Sequence, residues 1–143
     1  MNDVINMKQN LLITKSGTIH LGEGDIAVGN VLTAGLLEKD YDFYIVPSHM
    51  TWEEFDEYKK MVESGDAINF IGHQSTADLL GMEANRVTLQ AGSGATLIVA
   101  QYNGPRLNEG VTDLPEGAEL LPIKWELKKK TRVFKLLSRL KVI

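Results

Sequence analysis

A change of pattern between residues 68 and 82 constrains the fold more than any other feature of this chain. Residues 68–71 (Ile-Asn-Phe-Ile) form a strand-like apolar run, Gly72 interrupts it, and Leu79 and Leu80 follow in a short helical pattern. A strand that runs into a helix leaves backbone N–H groups exposed at the positive end of the helix dipole. Such a junction can hold an anion such as a phosphate, and His73 lies in it.

Two interpretations of His73 follow from this position. In the first, His73 or Ser75 caps the helix and has only a structural role. In the second, His73 transfers a proton beside a bound phosphate, because histidine titrates near neutral pH. The residues of this stretch leave both interpretations open.

The remaining patterns predict a sheet with few helices. Thr51 and Glu54 have the capping-box spacing and precede a clear amphipathic helix. Strands are predicted at residues 25–32, 40–46 (closed by Pro47), 87–90, 95–101 and 121–127, with a hairpin joining 87–90 to 95–101 around the Gly-Ser-Gly at 92–94. The expected fold is α+β: a compact mixed β-sheet flanked by helices in a single domain.

The predicted domain covers residues 25–130 and carries two terminal additions. Residues 1–24 are predicted to form an N-terminal extension that contains a hairpin, and residues 131–143 a basic amphipathic tail. Phe134, Leu137 and Leu140 of the tail are expected to pack on the body or on a partner subunit. The tail also fits an alternative role as a nucleic-acid or partner-protein arm.

Charge and composition exclude several classes of function. The chain has no cysteine, which excludes disulfides and thiol catalysis, and no run long enough to span a membrane, so we expect a cytoplasmic protein, in the host cytoplasm if it is viral. Residues 1–123 carry 18 acidic and 7 basic side chains, which argues against binding of long nucleic acids. Two of those seven basic residues are arginines, Arg86 and Arg106, and arginine binds phosphate with a forked geometry.

The available chemistry favours metal-free cleavage of RNA. His20, His49 and His73 lie in separate elements without a metal-ligand spacing, so no metal and no cofactor is expected. In metal-free cleavage the 2′-hydroxyl of the substrate attacks the adjacent phosphorus, and a histidine protonates the departing 5′-oxygen. The protein then has to hold the phosphate in line and stabilise its added charge.

An ordered set of motifs resembles the viral anti-CRISPR ring nucleases, a family with bacterial and phage relatives. The motifs are Ala-Val-Gly-Asn-Val-Leu-Thr at 27–33, Ile-Gly-His-x-x-Thr-Ala at 71–77, Asn-Arg at 85–86, Leu-Ile-Val-Ala-Gln at 97–101 and Arg-Leu-x-Glu-Gly at 106–110. Members of this family are homodimers that enclose cyclic tetra-adenylate, the second messenger of type III CRISPR defence, and cut it to linear di-adenylate.

The resemblance implies a role for particular residues. His73 matches the catalytic histidine, Glu109 the acidic residue that orients it, and Arg106 the loop arginine that closes on the ligand. Substrate-binding positions are expected at Asn30, Thr33, Gly72, Arg86, Gln101 and Arg106, with Thr33 in place of the family's serine. These matches favour the catalytic interpretation of His73 and a product with a 2′,3′-cyclic phosphate. A cyclic oligoadenylate-binding sponge or sensor without turnover is the alternative.

Overall fold

A computed structural model describes residues 12–13, 17–39 and 42–130 of the chain. The strands in these ranges are β1 (Leu12–Ile13), β2 (Ile19–Leu21), β3 (Ile26–Gly29), β4 (Phe43–His49), β5 (Ile68–Asn69), β6 (Leu89–Ala91), β7 (Thr96–Asn103) and β8 (Glu119–Lys129). The helices are α1 (Trp52–Ser64), α2 (Gln74–Leu80) and a short 3-10 helix (Ala34–Leu36). The predicted tail at 131–143 lies outside the described residues.

The larger sheet has the strand order β4-β8-β7-β3-β5 in the described part of the chain. β3 runs parallel to β5 and β7, whereas β8 is antiparallel to β4 and β7. Residues 97–100 of the central strand β7 are fully buried, because both faces of the sheet are covered. This burial explains why their sequence is a continuous apolar run instead of an alternating one.

Neighbouring residues of the central strands face opposite layers. Ala27 and Leu97 pack in a cluster that includes the smaller sheet, whereas Val28 and Ile98 pack in a second cluster with both α-helices. This alternation follows from the two-residue period of a strand. The prediction of a mixed α+β domain with helices beside its sheet is confirmed.

The smaller sheet contains part of the predicted N-terminal extension. In the described residues β2 lies between β1, to which it is antiparallel, and β6, to which it is parallel. Ile19 and Leu21 of β2 are buried, as is Leu89 of β6. A strand from the segment before residue 25 is therefore built into the core of the domain.

The hairpin predicted around residues 92–94 is wrong. β6 pairs with β2 in the smaller sheet, whereas β7 pairs with β3 and β8 in the larger one. Gly94 lies in a turn and has a φ of 89°, but its carbonyl accepts from Gly24 N–H and its N–H donates to the Leu127 carbonyl. The turn therefore passes the chain from one sheet to the other, which its glycine content alone could not reveal.

The helix α1 begins as the capping-box spacing predicted. The Thr51 hydroxyl accepts from Glu54 N–H at 3.1 Å, and the Glu54 carboxylate accepts from Thr51 N–H at 2.8 Å. Phe55 is buried against the sheet. Lys124 on β8 forms a side-chain hydrogen bond with Tyr58 of α1, and this bond raises the pKa of Lys124. The same bond is a polar contact between the helix and the sheet.

The strand β4 continues beyond the residue that was expected to end it. Pro47 lies inside β4, opposite Trp125 of β8, so the prediction that Pro47 closes the strand is wrong. In the described part of the chain, β4 is at the edge of the sheet. A proline in an edge strand costs no hydrogen bond when its backbone nitrogen faces away from the neighbouring strand.

Gly29→Ala is expected to destabilise the fold. A Cβ atom at Gly29 would overlap the ring of Phe70, which is buried in the core. We expect a loss of about 1–3 kcal/mol in the free energy of unfolding, as for other overpacked sites. Thermal denaturation should show this loss against Gly22→Ala, because a Cβ at Gly22 meets nothing within 4 Å. Equal melting temperatures for the two variants would contradict the expectation.

Candidate functional site

The candidate site lies where three parallel strands end. The carboxyl ends of β3, β5 and β7 lie on the same side of the sheet because β3 is parallel to both neighbours. Ligands of open sheets with parallel strands bind at this side. The segments after these strands surround a cavity of about 730 Å³. Its lining consists of Asn30, Val31, His73, Gln74, Ser75, Thr76, Arg86, Gln101, Tyr102, Gly104, Pro105, Arg106, Leu107, Asn108 and Glu109.

His73 occupies the N-cap position of α2 but does not use its side chain there. Its backbone is extended, with φ −113° and ψ 121°, and its side chain forms no capping hydrogen bond. The residue is exposed and lines the cavity. The capping interpretation is therefore wrong for His73, and its imidazole is available to the cavity.

Gly72 is held from both sides by cavity residues. Its N–H donates to Asn30 Oδ1 at 3.1 Å, and its carbonyl accepts from Arg86 Nε at 3.1 Å. The buried Asn30 thereby fixes the backbone that precedes His73. The same contacts orient Arg86, whose terminal amino groups remain to bind a ligand.

Two asparagines align the segments that carry His73 and Arg86. Asn69 Oδ1 accepts from Ile71 N–H, and Asn85 Nδ2 donates to the Asn69 carbonyl, both at 2.8 Å. Asn85 N–H also donates to the Ile71 carbonyl at 2.8 Å. These bonds place residues 69–72 beside residues 83–86, so the positions of His73 and Arg86 are coupled.

Residues 104–112 form the loop that carries Arg106 and Glu109. The Tyr102 hydroxyl at the end of β7 donates to the Pro105 carbonyl at 2.6 Å. Further along, Gly110 N–H donates to Asp78 Oδ2 of α2 at 2.6 Å. The loop is thus anchored at two points, and Arg106 and Glu109 lie between them at the cavity.

The charged side chains of the cavity favour an anionic ligand. Arg86 and Arg106 line it together with His73, against a single carboxylate, that of Glu109. Among the residues that the structure describes, no ion pair within 4.0 Å joins Glu109 to His73. Glu109 therefore shares the cavity with His73 without forming an ion pair with it.

Six of the eight predicted site residues line the cavity: Asn30, His73, Arg86, Gln101, Arg106 and Glu109. Gly72 contributes through its backbone, as described above. Thr33 does not line the cavity, because it precedes the 3-10 helix, where its carbonyl accepts from Leu36 N–H. The structure therefore does not bring Thr33 to the site.

Several lining residues were not predicted. Val31 and Gln74 flank predicted positions in the sequence, and Tyr102 follows Gln101 at the end of a recognised strand. Proximity to the motifs was the available signal for these three residues. Asp78 does not line the cavity but contacts its loop. Nothing in the sequence signalled this role, because the hydrogen-bond partner of Asp78, Gly110, is 32 positions away.

The described ranges contain no group of three or more His, Cys, Asp or Glu side chains that could hold a metal ion. No helix in 12–13, 17–39 or 42–130 has the length and apolar character required to cross a membrane.

Comparison with known proteins places this fold in a family. Residues 26–127 match the family described as STIV B116-like. The structure of B116 of Sulfolobus turreted icosahedral virus (STIV) is similar, with a TM-score of 0.59 and 23% identity over 72% of this chain and 99% of that one. A comparison with curated proteins found no match. The prediction of a viral family is confirmed to this extent, since the family carries the name of a viral protein: the chain belongs to the STIV B116-like family.

Proposed function

We propose that this protein is a metal-independent ring nuclease that cleaves cyclic tetra-adenylate to linear di-adenylate and so switches off type III CRISPR signalling. The observation that carries the proposal is the cavity that gathers His73 with Arg86, Arg106 and Gln101. A histidine beside two arginines can bind a phosphodiester and protonate its leaving group. The resemblance of the sequence motifs supplies the identity of the substrate.

The chemical step needs no external nucleophile. The ribose 2′-oxygen forms a bond to the adjacent phosphorus, and its proton passes to solvent. The bond from phosphorus to the 5′-oxygen breaks, and His73 gives that oxygen a proton. The arginines offset the negative charge that develops on the phosphoryl oxygens. The product carries a 2′,3′-cyclic phosphate at one end and a 5′-hydroxyl at the other.

A two-fold homodimer suits this substrate. Two cuts at opposite phosphates convert the ring into two di-adenylates, and each subunit of a symmetric dimer presents one His73. Apolar side chains are exposed beside the cavity: Leu121 is 52% exposed and lies opposite Gln101 on the neighbouring strand, and Val31 is 39% exposed. In the proposed dimer these side chains would supply the apolar part of the interface.

Leu121→Glu is expected to weaken dimerisation at least tenfold, because it places a charge in the proposed interface. Sedimentation or light scattering at micromolar concentration measures the change, and cleavage should decline in parallel. Tyr44→Glu is the matched control, since Tyr44 is likewise a large side chain that is 38% exposed, but it lies opposite Lys128 at the other end of β8. A wild-type protein that is monomeric at this concentration would contradict the dimer.

The direct test is incubation with cyclic tetra-adenylate in the presence of EDTA, followed by chromatography and mass spectrometry of the products. We expect di-adenylate with a 2′,3′-cyclic phosphate. Activity that EDTA abolishes and a divalent ion restores would overturn the metal-independent mechanism.

Recovery of intact ligand from a stable complex would favour the second candidate, a cyclic oligoadenylate-binding sponge or sensor. The observation that favours it is the separation of Glu109 from His73, because an imidazole that no carboxylate orients is a weaker acid catalyst. Binding of the ligand by Arg86 and Arg106 requires no such orientation.

A further inference from the structure

We propose that Asp78 is a positioning residue that holds the loop of residues 104–112 in its working position over α2. This inference rests on the proposed function, since its consequence is the placement of Arg106 and Glu109 at the cavity that His73 also lines. Asp78 does not line the cavity and lies outside the motifs that indicated the site.

The two carboxylate oxygens of Asp78 have different partners. Oδ2 accepts from the backbone N–H of Gly110 at 2.6 Å, and Oδ1 accepts from Gln74 Nε2 at 2.8 Å. Hydrogen bonds to an ionised carboxylate are stronger than those between neutral groups. One side chain therefore joins the loop to the first turn of the helix whose N-cap is His73.

Because of where Gly110 lies in the loop, its hydrogen bond to Asp78 can restrain the neighbouring Glu109. Gly110 directly follows Glu109 and has a φ of 86°, a conformation that favours glycine. The other anchor of the loop, Tyr102 to Pro105, is local, because its partners are three residues apart. In the described part of the chain, the Asp78–Gly110 bond is thus the hydrogen bond that links this loop to α2.

The direction in which removal of Asp78 changes ligand binding distinguishes a positioning role from a purely electrostatic one. Asp78 carries a negative charge near a cavity proposed for an anion. If its charge were all that mattered, its removal would strengthen binding of the anion. If it positions the loop, its removal lets Arg106 and Glu109 leave the site for part of the time, and the competent fraction of the protein falls.

The test compares Asp78→Ala, Asp78→Asn and the control Asp113→Ala. Asp113 is an exposed carboxylate three residues after Gly110 and does not line the cavity. We expect Asp78→Ala to lower kcat about tenfold, Asp78→Asn to lie between it and the wild type because one acceptor oxygen remains, and Asp113→Ala to keep the wild-type rate. Melting temperatures identify any variant that fails to fold.

Two further measurements isolate the positioning role. Hydrogen exchange of peptides covering residues 106–112 should be faster in Asp78→Ala without any ligand. In a double-mutant cycle, Asp78→Ala should add little to the loss caused by Arg106→Ala, because both act through the same loop. Wild-type exchange and wild-type turnover in Asp78→Ala, or tighter binding with faster cleavage, would overturn the proposal. A wild-type protein that does not cleave the ring would overturn the proposed function instead, and hydrogen exchange would still decide whether Asp78 holds the loop.

Discussion

His73→Ala is expected to slow cleavage of cyclic tetra-adenylate by about a hundredfold or more, since general acid catalysis contributes that much to a proton-transfer step. Binding should be largely retained, because in the proposed mechanism Arg86 and Arg106 hold the phosphates. The imidazole is exposed at the cavity and makes no capping hydrogen bond, so its removal should leave the fold intact. Single-turnover kinetics and calorimetric titration separate the two effects.

The matched control is His49→Ala. His49 is an exposed histidine at the end of β4 and does not line the cavity. We expect this variant to cleave at the wild-type rate. Full activity of His73→Ala in the presence of EDTA would show that another group protonates the leaving oxygen, and the assignment of His73 would be abandoned.

Arg106→Ala is expected to weaken both binding and turnover. The substitution removes a charged, forked donor, and the loss of such a hydrogen bond to a charged group is about 1.5–3 kcal/mol, or roughly 10- to 150-fold in affinity. Turnover at saturating ligand should fall as well, because in the proposed mechanism the same guanidinium offsets charge in the transition state.

Arg106→Lys provides the comparison for this prediction. Lysine keeps the charge but presents no planar fork, so we expect partial recovery of binding. Raising the salt concentration should weaken ligand binding to the wild type more than to Arg106→Ala, since the wild type makes one more ionic contact. An unchanged ligand affinity and cleavage rate in Arg106→Ala would show that Arg106 and its loop take no part in binding or cleavage.

Local signals in the sequence predicted the elements that depend on local contacts. The start of α1 was predictable because Thr51 and Glu54 bond to each other's backbone three residues apart. The destination of β6 was not, because its partner β2 comes from a segment about 70 residues earlier in the chain (residue 19 pairs with residue 89). Register between distant segments depends on tertiary packing, which a pattern of turn residues does not encode.

The same division applies to the candidate site. The residues that a ligand would contact occur in motifs, so His73, Arg86 and Arg106 could be named from the sequence. The residues that hold those motifs in place, Asn69 and Asp78, act through backbone groups of other segments: Asn69 Nδ2 donates to the Glu83 carbonyl, and Asp78 accepts from Gly110 N–H. Every residue supplies a backbone carbonyl and every residue except proline an N–H, so these partners leave no trace in the sequence.

Pro47 has a consequence for how copies of this protein can assemble. A free edge strand invites another chain to extend the sheet, and repeated extension gives open-ended fibres. Among the described residues, β4 and β5 border the larger sheet: Pro47 of β4 has no N–H to offer an incoming strand, and β5 is two residues long. Growth by strand addition is therefore disfavoured at both borders of the larger sheet. The homodimer proposed above would avoid such growth, because an isologous pair is closed and stops at two subunits.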